Sequence, residues 1–566
     1  MLSRRDAILA SIFVLAPRYV EAKVARTDVA GIRRFGVQAH LGHSGASVAS
    51  IEALRSASLL PTFVRDEVFW ARFEPTRGVY NWSYADTVMD TIHRSGAKLI
   101  LEFTFSNKSY ADNDFAFPAT EAARAGFSRY AMALLDRYAH RQSGRYPDLI
   151  AAVEVWNEAN GSFGGGYSPR LVASPLAALT RSVHDAMRAD PAYDHIKILG
   201  GASVGVPMGF LEWCFDAGLG EVIDGVAVHP YGAPEKLLTN LSLLRSWLDE
   251  RGHGRLGVWA TEFGNVKTAS EVARLMAVCR AAPLDHASYY LAQSNATFSS
   301  GLLDTEGAVT SAGRAWRYWL PLLDDAQPVG SASLQPKTYA LKFVSPKVGP
   351  FVIVWSQWGQ TTILVRQADR VVGATGDALP PRESYVIGQD PIAIFGGEIT
   401  EQLPGAAVIS DAYEGFSTIQ GHAGWRYLSV SGKAERELTL ATEDPTVWTD
   451  RLAAFSKISN DSLHPSFVGR TPVVVTRRYT FAENARCRVI GQWSRGPKGD
   501  GTHVSVAQDG KILSERTLIG ETIGFDHTFE AQAGQAIDFA AGPTGASKDF
   551  DEVRFYATLY RVEAEA

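Results

Sequence analysis

Hydrophobic positions follow two alternating rhythms up to about residue 323 and a single rhythm after it. From residue 34, short runs rich in Val, Ile, Leu and aromatic residues alternate with longer stretches whose apolar residues recur every three to four positions. That is the pattern of strands separated by amphipathic helices. The runs are "RFGVQAHL", "PTFVRDEV", "AKLILEFTF", "IAAVEVWNE", "IKILGGAS", "DGVAVHPY", "LGVWATEFG" and "ASYYLAQS". Helical period fills the intervals, as in "SVASIEALRSA", "SYADTVMDTIHRSG", "TEAARAGFSRYAMALLDRYAHR" and "ASEVARLMAVCRA". Eight strand-helix units over roughly 290 residues predict a (β/α)8 TIM barrel, since eight parallel strands close on themselves and such barrels commonly run to about 250 residues.

Past "YWLPLLDDAQPVG" the helical period stops, and runs such as "KTYALKFV", "PFVIVWSQW" and "TTILVRQ" alternate at the period of strands. The reading is a barrel over 30–325, a small β-sandwich over 326–400 and a second all-β region over 405–566. At 566 residues the chain exceeds one hydrophobic core, so several domains are expected on size alone. The opening "MLSRRDAILASIFVLAPRYVEA" joins a basic start to an apolar run too short to cross a membrane, and reads as an export signal over residues 1–22. Its Ser3-Arg4-Arg5 resembles the twin-arginine type. A periplasmic or secreted protein with no membrane span is the expectation.

Charge narrows the field further. A formal net charge of -6, with no run of Lys and Arg, leaves nothing to track phosphates and argues against nucleic acid as a partner. The three cysteines, Cys214, Cys279 and Cys487, lie far apart and form no CxxC pair, which points to buried thiols rather than a zinc site or disulfide framework. Thirteen Trp and twenty Tyr supply many rings suited to cores and to sugar faces. The glycines of "NGSFGGGYSP" lack the GK[ST] ending of a phosphate cradle. They are read instead as a flap, or as backbone that approaches a glycan closely.

In a barrel of this kind the chemistry sits at the C-terminal ends of the strands. Those ends are polar here: His40 after the first, Arg65 in the second, Asn107 after the third, Asn157 and Glu158 on the fourth, His229 and Tyr231 on the sixth, Glu262 on the seventh and Gln293 after the eighth. Glu158 and Glu262 stand at matching heights on strands three positions apart, so they face one another across the mouth. Paired carboxyls are the machinery of glycoside hydrolysis, one protonating the leaving oxygen and the other attacking the anomeric carbon or activating water. Trp70, Phe105, Phe163, Trp259 and Tyr290 are candidate rings for stacking on sugar, with Trp70 preferred. Glu102 and Glu154 are read as structural, Glu154 lying two pleats before Glu158 on the inward face and offering Arg65 a partner.

"VEVWNEAN" with "TEFG" resembles the clan A glycoside hydrolases, and "FVRDEVFWARFEPTRGVYNWSYADTVMDTIHRSGAKLILEF" is similar to the corresponding segment of glycoside hydrolase family 39, with family 5 a near competitor. The resemblance covers the barrel. It implies a retaining glycosidase acting on a polysaccharide or oligosaccharide, either a plant-type glycan or a bacterial exopolysaccharide, without metal or organic cofactor. Glu158 matches the acid/base and Glu262 the nucleophile. Arg65 is then the cation that keeps Glu262 ionised, Tyr231 a hydrogen-bond donor to it, Asn157 a ligand for the sugar 2-hydroxyl, and His229 an orienting group. The 405–566 segment resembles jelly-roll modules appended to secreted bacterial polysaccharide enzymes, which implies a glycan-binding or accessory role. The rival reading is an inactive glycan-binding or exopolysaccharide-assembly protein on the same fold.

Overall fold

The computed structural model describes residues 35–562 apart from 44–47, 332–336, 358–359, 402–407, 418, 442–446, 454 and 546–548. The expected export signal lies outside the described residues. Eight parallel strands close the barrel: β1 (Phe35–Gln38), β2 (Phe63–Glu67), β3 (Lys98–Phe103), β4 (Ile150–Val155), β5 (Lys197–Val204), β6 (Gly225–His229), β7 (Gly257–Gly264) and β8 (His286–Tyr290). Closure is made by β1 pairing β8 in parallel, Val37 opposite Tyr289. Every residue of β1, β6 and β8 is buried, because helices cover the outside and side chains fill the inside. Ile100, Ala152, Leu199, Ala202 and Ala227 form the plug of that interior, with Phe63 and Trp259 packed against it.

The crossovers are α1 (Ala49–Ser56), α2 (Trp70–Phe73), α3 (Trp82–Ser95), α4 (Glu121–Tyr138), α5 (Pro169–Arg188), α6 (Met208–Asp216), α7 (Pro234–Glu250), α8 (Ala269–Ala281) and α9 (Ser311–Leu323). Their starts follow local chemistry. Asn81, Thr120 and Thr310 accept a backbone N–H of the first turn, and Thr268 with Glu271 forms a reciprocal capping box at α8. Two features depart from the sequence pattern. The single turn α2 sits in the loop after β2, and α5 begins at Pro169 and carries a second proline, Pro175, inside the helix.

The described residues divide into two compact units, one within 26–404 and one drawn from 405–440 and 447–566. In the first, a six-stranded and a three-stranded antiparallel sheet follow the barrel. The six-stranded sheet packs on it: Trp355 donates to Glu235 Oε1 at 2.7 Å, and Trp319 of α9 to the Ala374 carbonyl at 2.7 Å. The second unit holds an eight-stranded and a seven-stranded antiparallel sheet, with Trp425, Tyr427, Trp493, Phe539 and Phe555 in its core. No helix among the described residues is long and apolar enough to cross a membrane.

Candidate active site

A row of acids crosses three neighbouring strands, with Glu67 of β2 in register with Glu102 of β3, and Glu102 with Glu154 of β4. Burying three carboxylates together is costly unless cations pair with them. Arg65, fully buried and two residues before Glu67 on the same strand, supplies the charge. Its Nη2 lies 2.5 Å from Glu154 Oε1 and 2.8 Å from Glu102 Oε2, while Nη1 donates to Glu262 Oε1 and to Gln38 Oε1, both at 2.8 Å. Asn157 Oδ1 accepts from Nη2 at 3.2 Å. Burial pushes the Glu102 carboxyl up to about 8 against the pull of Arg65. Burial acts the same way on Glu154, but Arg65 and His229 hold it down at about 2. Burial thus favours the neutral form of Glu102, while the two cations favour the charged form of Glu154.

Glu158 does not reach the mouth by strand alternation. β4 ends at Val155, and both Trp156 (φ 70°) and Glu158 (φ 43°) adopt left-handed backbone. That conformation costs a non-glycine residue of the order of 1–3 kcal/mol and persists only where surroundings enforce it. Here Trp156 is fully buried, edge-on to Phe117 at 4.9 Å, with its indole N–H donating to the Phe163 carbonyl at 3.0 Å. The Glu158 N–H is fixed on the Ala202 carbonyl of β5 at 2.8 Å. Glu262 is aimed by a different device. The β7–β8 register slips between Ala260 and Phe263, so one extra residue of β7 bulges where Glu262 sits.

The two carboxylates come together around His229. One carboxylate oxygen from each and a ring nitrogen of His229 lie within 4.8 Å of one another. Nδ1 is 2.8 Å from Glu158 Oε1 and 3.6 Å from Glu262 Oε2, and Nε2 is 3.9 Å from Glu154 Oε1. Burial depresses the imidazole, but the charge of Glu262, the hydrogen bond to Glu158 and the nearby Glu154 carboxylate outweigh it and raise the group to about 10. The Tyr231 hydroxyl donates to Glu262 Oε2 at 2.6 Å. Glu262 thus has a guanidinium on one oxygen and a phenol on the other, which fixes its aim.

Other expected residues fall around this centre. His40 Nδ1 is 3.1 Å from Glu67 Oε1, and its Nε2 is 3.0 Å from the Tyr290 hydroxyl. The Tyr290 ring stands edge-on to Tyr231 at 6.3 Å. Half-buried Phe105 and Phe163 stack on each other at 4.6 Å, on the loops that follow β3 and Glu158.

Four expectations are corrected. Trp70 is no sugar platform: it is fully buried, stacked between Tyr110 and Tyr130, with its indole N–H on Glu74 at 2.6 Å. Asn107 is spent on the same network, donating to the Glu74 carbonyl and accepting from the Ser109 N–H. Trp259 packs against the apolar plug of the barrel. Gly164 and Gly165 serve the protein's own packing, since a Cβ on Gly164 would lie 2.4 Å from the Ala159 carbonyl and one on Gly165 2.7 Å from the Phe117 nitrogen. Gln293 donates to the Thr305 carbonyl at 3.3 Å and braces the loop after β8.

Sequence reasoning overlooked Gln38, His43 and Glu67. Strand parity could have found Glu67, which shares the inward face with Arg65. Gln38 stands in register with Arg65 on β1 and touches both Arg65 and Glu67.

Fold and site define a (β/α)8 barrel with two carboxylates paired across its C-terminal mouth. No family model and no curated protein matches the chain. Solved structures similar to it include family 39 and family 30 glycoside hydrolases. A family 39 glycoside hydrolase from the gut symbiont Bacteroides cellulosilyticus WH2 aligns at 18% identity and a TM-score of 0.54, covering 67% of this chain and 82% of that one. A family 39 β-xylosidase from Caulobacter crescentus aligns at 15% identity and a TM-score of 0.46, over 66% of this chain and 98% of that one. A family 30 endoxylanase from Clostridium papyrosolvens C71 aligns at 13% and 0.44, over 65% and 97%. At such identities the likeness of the first establishes the fold.

Proposed function

We propose that the protein is a retaining glycoside hydrolase acting on an oligosaccharide or polysaccharide. The observation that carries this is the pair Glu158 and Glu262, one carboxylate oxygen of each lying within 4.8 Å of the other at the barrel mouth. Retaining enzymes hold their two carboxyl groups about 5–5.5 Å apart, whereas inverting ones need about 6.5–9.5 Å to admit a water. Glu158 protonates the glycosidic oxygen as the bond breaks, and Glu262 attacks the anomeric carbon to form a glycosyl-enzyme. Glu158, now a carboxylate, takes a proton from the water that releases the sugar. Arg65 and Tyr231 aim Glu262 before attack, and His229 sits between the two carboxylates, 2.8 Å from Glu158 and 3.6 Å from Glu262.

Asn157 is held by Arg65 with its amide NH2 left to bond a sugar hydroxyl. Phe105 and Phe163 are the rings placed to stack on a glycan beside Glu158. The export signal, the periplasmic or secreted location and a glycan-binding role for the 405–566 module belong to the same proposal.

The test is an arrayed oligosaccharide screen with the full chain, followed by NMR of the first-formed anomer. The proposal expects net retention, with turnover falling by several orders of magnitude in Glu158→Gln and Glu262→Gln. Unchanged turnover in both variants, or tight glycan binding with no product on long incubation, refutes it.

A further inference from the structure

Beside the catalytic pair lies a second constellation that the proposed reaction does not use. His40 Nδ1 and His43 Nε2 converge on one oxygen of Glu67, Oε1, at 3.1 and 2.9 Å. We infer that His40, His43 and Glu67 form a site for a divalent transition cation of the zinc type, bound by those three atoms with its remaining position open to solvent.

Geometry supports the assignment. Bonds of about 2.0–2.1 Å from a tetrahedral zinc place neighbouring donor atoms about 3.3–3.4 Å apart. The two contacts on Glu67 need open by only a few tenths of an ångström, and the three donor atoms already lie within 4.8 Å of one another. Two imidazoles with a single carboxylate suit zinc and its neighbours rather than calcium or magnesium, which take oxygen ligands in greater number.

The atoms around the three ligands hold them in place. Gln38 Nε2 donates to the other oxygen of Glu67 at 2.8 Å, leaving Oε1 free for the two rings. The Tyr290 hydroxyl lies 3.0 Å from His40 Nε2, so an Nε2–H tautomer turns the Nδ1 lone pair toward Glu67. The turn that carries His43 is pinned from several sides. Asp66 accepts the N–H groups of Leu41 and Gly42 at 2.9 and 3.0 Å, and the Gly42 carbonyl accepts from Tyr84 at 2.7 Å and from Arg72. Gly42 passes so close to β2 that a Cβ there would lie 2.0 Å from the Glu67 carbonyl oxygen. That approach brings His43 onto the Glu67 side chain. The His43 side chain is 50% exposed, which provides the entry path.

The inference stands apart from the glycosidase reading, and its test reads metal rather than turnover. The full chain is stripped with a chelator, dialysed, and titrated with Zn2+ by calorimetry, with Co2+ as an optical probe of coordination. One equivalent of Zn2+ is expected, with Co2+ giving the visible absorption of a four- or five-coordinate site. His43→Ala, at a half-exposed position, is expected to weaken Zn2+ by more than about 100-fold, since losing a supporting contact alone costs about 10- to 100-fold. Glu158, His229 and Glu262 form the competing cluster, so Glu158→Gln is the control and is expected to retain the ion. Absence of stoichiometric binding, binding that survives His43→Ala, or binding lost in Glu158→Gln each overturns the inference.

Discussion

Replacing Arg65 by methionine removes the cation that makes the buried acid row tolerable. The guanidinium is fully buried and contacts Glu102, Glu154 and Glu262 at 2.5–2.8 Å. Methionine fills a similar volume, so the change is electrostatic rather than a cavity. Removing one partner of a buried ionic cluster costs about 3–5 kcal/mol, because the remaining charges lose compensation. Unfolding entropy of about 2.1 cal/mol/K per residue, taken over the unit within 26–404, converts that loss into a fall in Tm of about 4–6 °C.

The deficit depends on pH, and its sign follows from which state binds protons. Without Arg65 the carboxyls of Glu102 and Glu154 lose the cation that pulls them down, and their folded-state pKa values move up. A raised acid contributes stability below its unfolded pKa and loses it as pH rises through the folded value. The gap between Arg65→Met and wild type therefore widens from pH 5 to pH 8. Calorimetric Tm across that range is the assay, with the triple variant Arg65→Met, Glu102→Gln, Glu154→Gln expected to recover most of the loss. A deficit below about 1 kcal/mol, or one flat across the range, refutes the view that Arg65 holds these acids by charge.

Tyr231→Phe removes a 2.6 Å hydrogen bond to Glu262, and bonds to charged groups are worth about 1.5–3 kcal/mol. A fall in kcat/KM of about 10- to 150-fold is expected on any substrate the screen yields, and a change below about threefold contradicts the role given to the phenol. Trp70→Ala is expected to cost about 3–5 kcal/mol of stability while leaving KM unchanged in the folded protein, as befits a core ring; a selective rise in KM would return Trp70 to the sugar site. His286 is buried, with Nδ1 unpaired, and burial lowers it to about 3. Its folded pKa lies below the unfolded value near 6.5, so the unfolded chain binds more protons, and stability is lost as pH falls from about 6.5 toward 3. Acid unfolding of His286→Leu should show a shallower loss across that window.

The alternation of hydrophobic periods determined the barrel, because a parallel strand buried on both faces and a helix with one apolar stripe leave different spacings in a sequence. It also located the strand ends, and with them Arg65, Asn157, Glu158, His229, Tyr231 and Glu262, which the structure draws into one cluster. Side-chain fate inside the loops was not legible. Trp70 and Asn107 look like surface chemistry in sequence, but the turn of α2 folds them onto Glu74. Glu67 and His43 were hidden for the converse reason, since a left-handed His40 (φ 59°) and the close pass of Gly42 bring them together.

The aim of the two paired carboxylates likewise depended on tertiary structure. Glu158 is turned inward by two left-handed residues that a buried Trp156 enforces, and Glu262 by a bulge in β7. Periodicity encodes which face a residue shares while the backbone is regular. Where the backbone departs from regularity, only the packing around it decides where a side chain points.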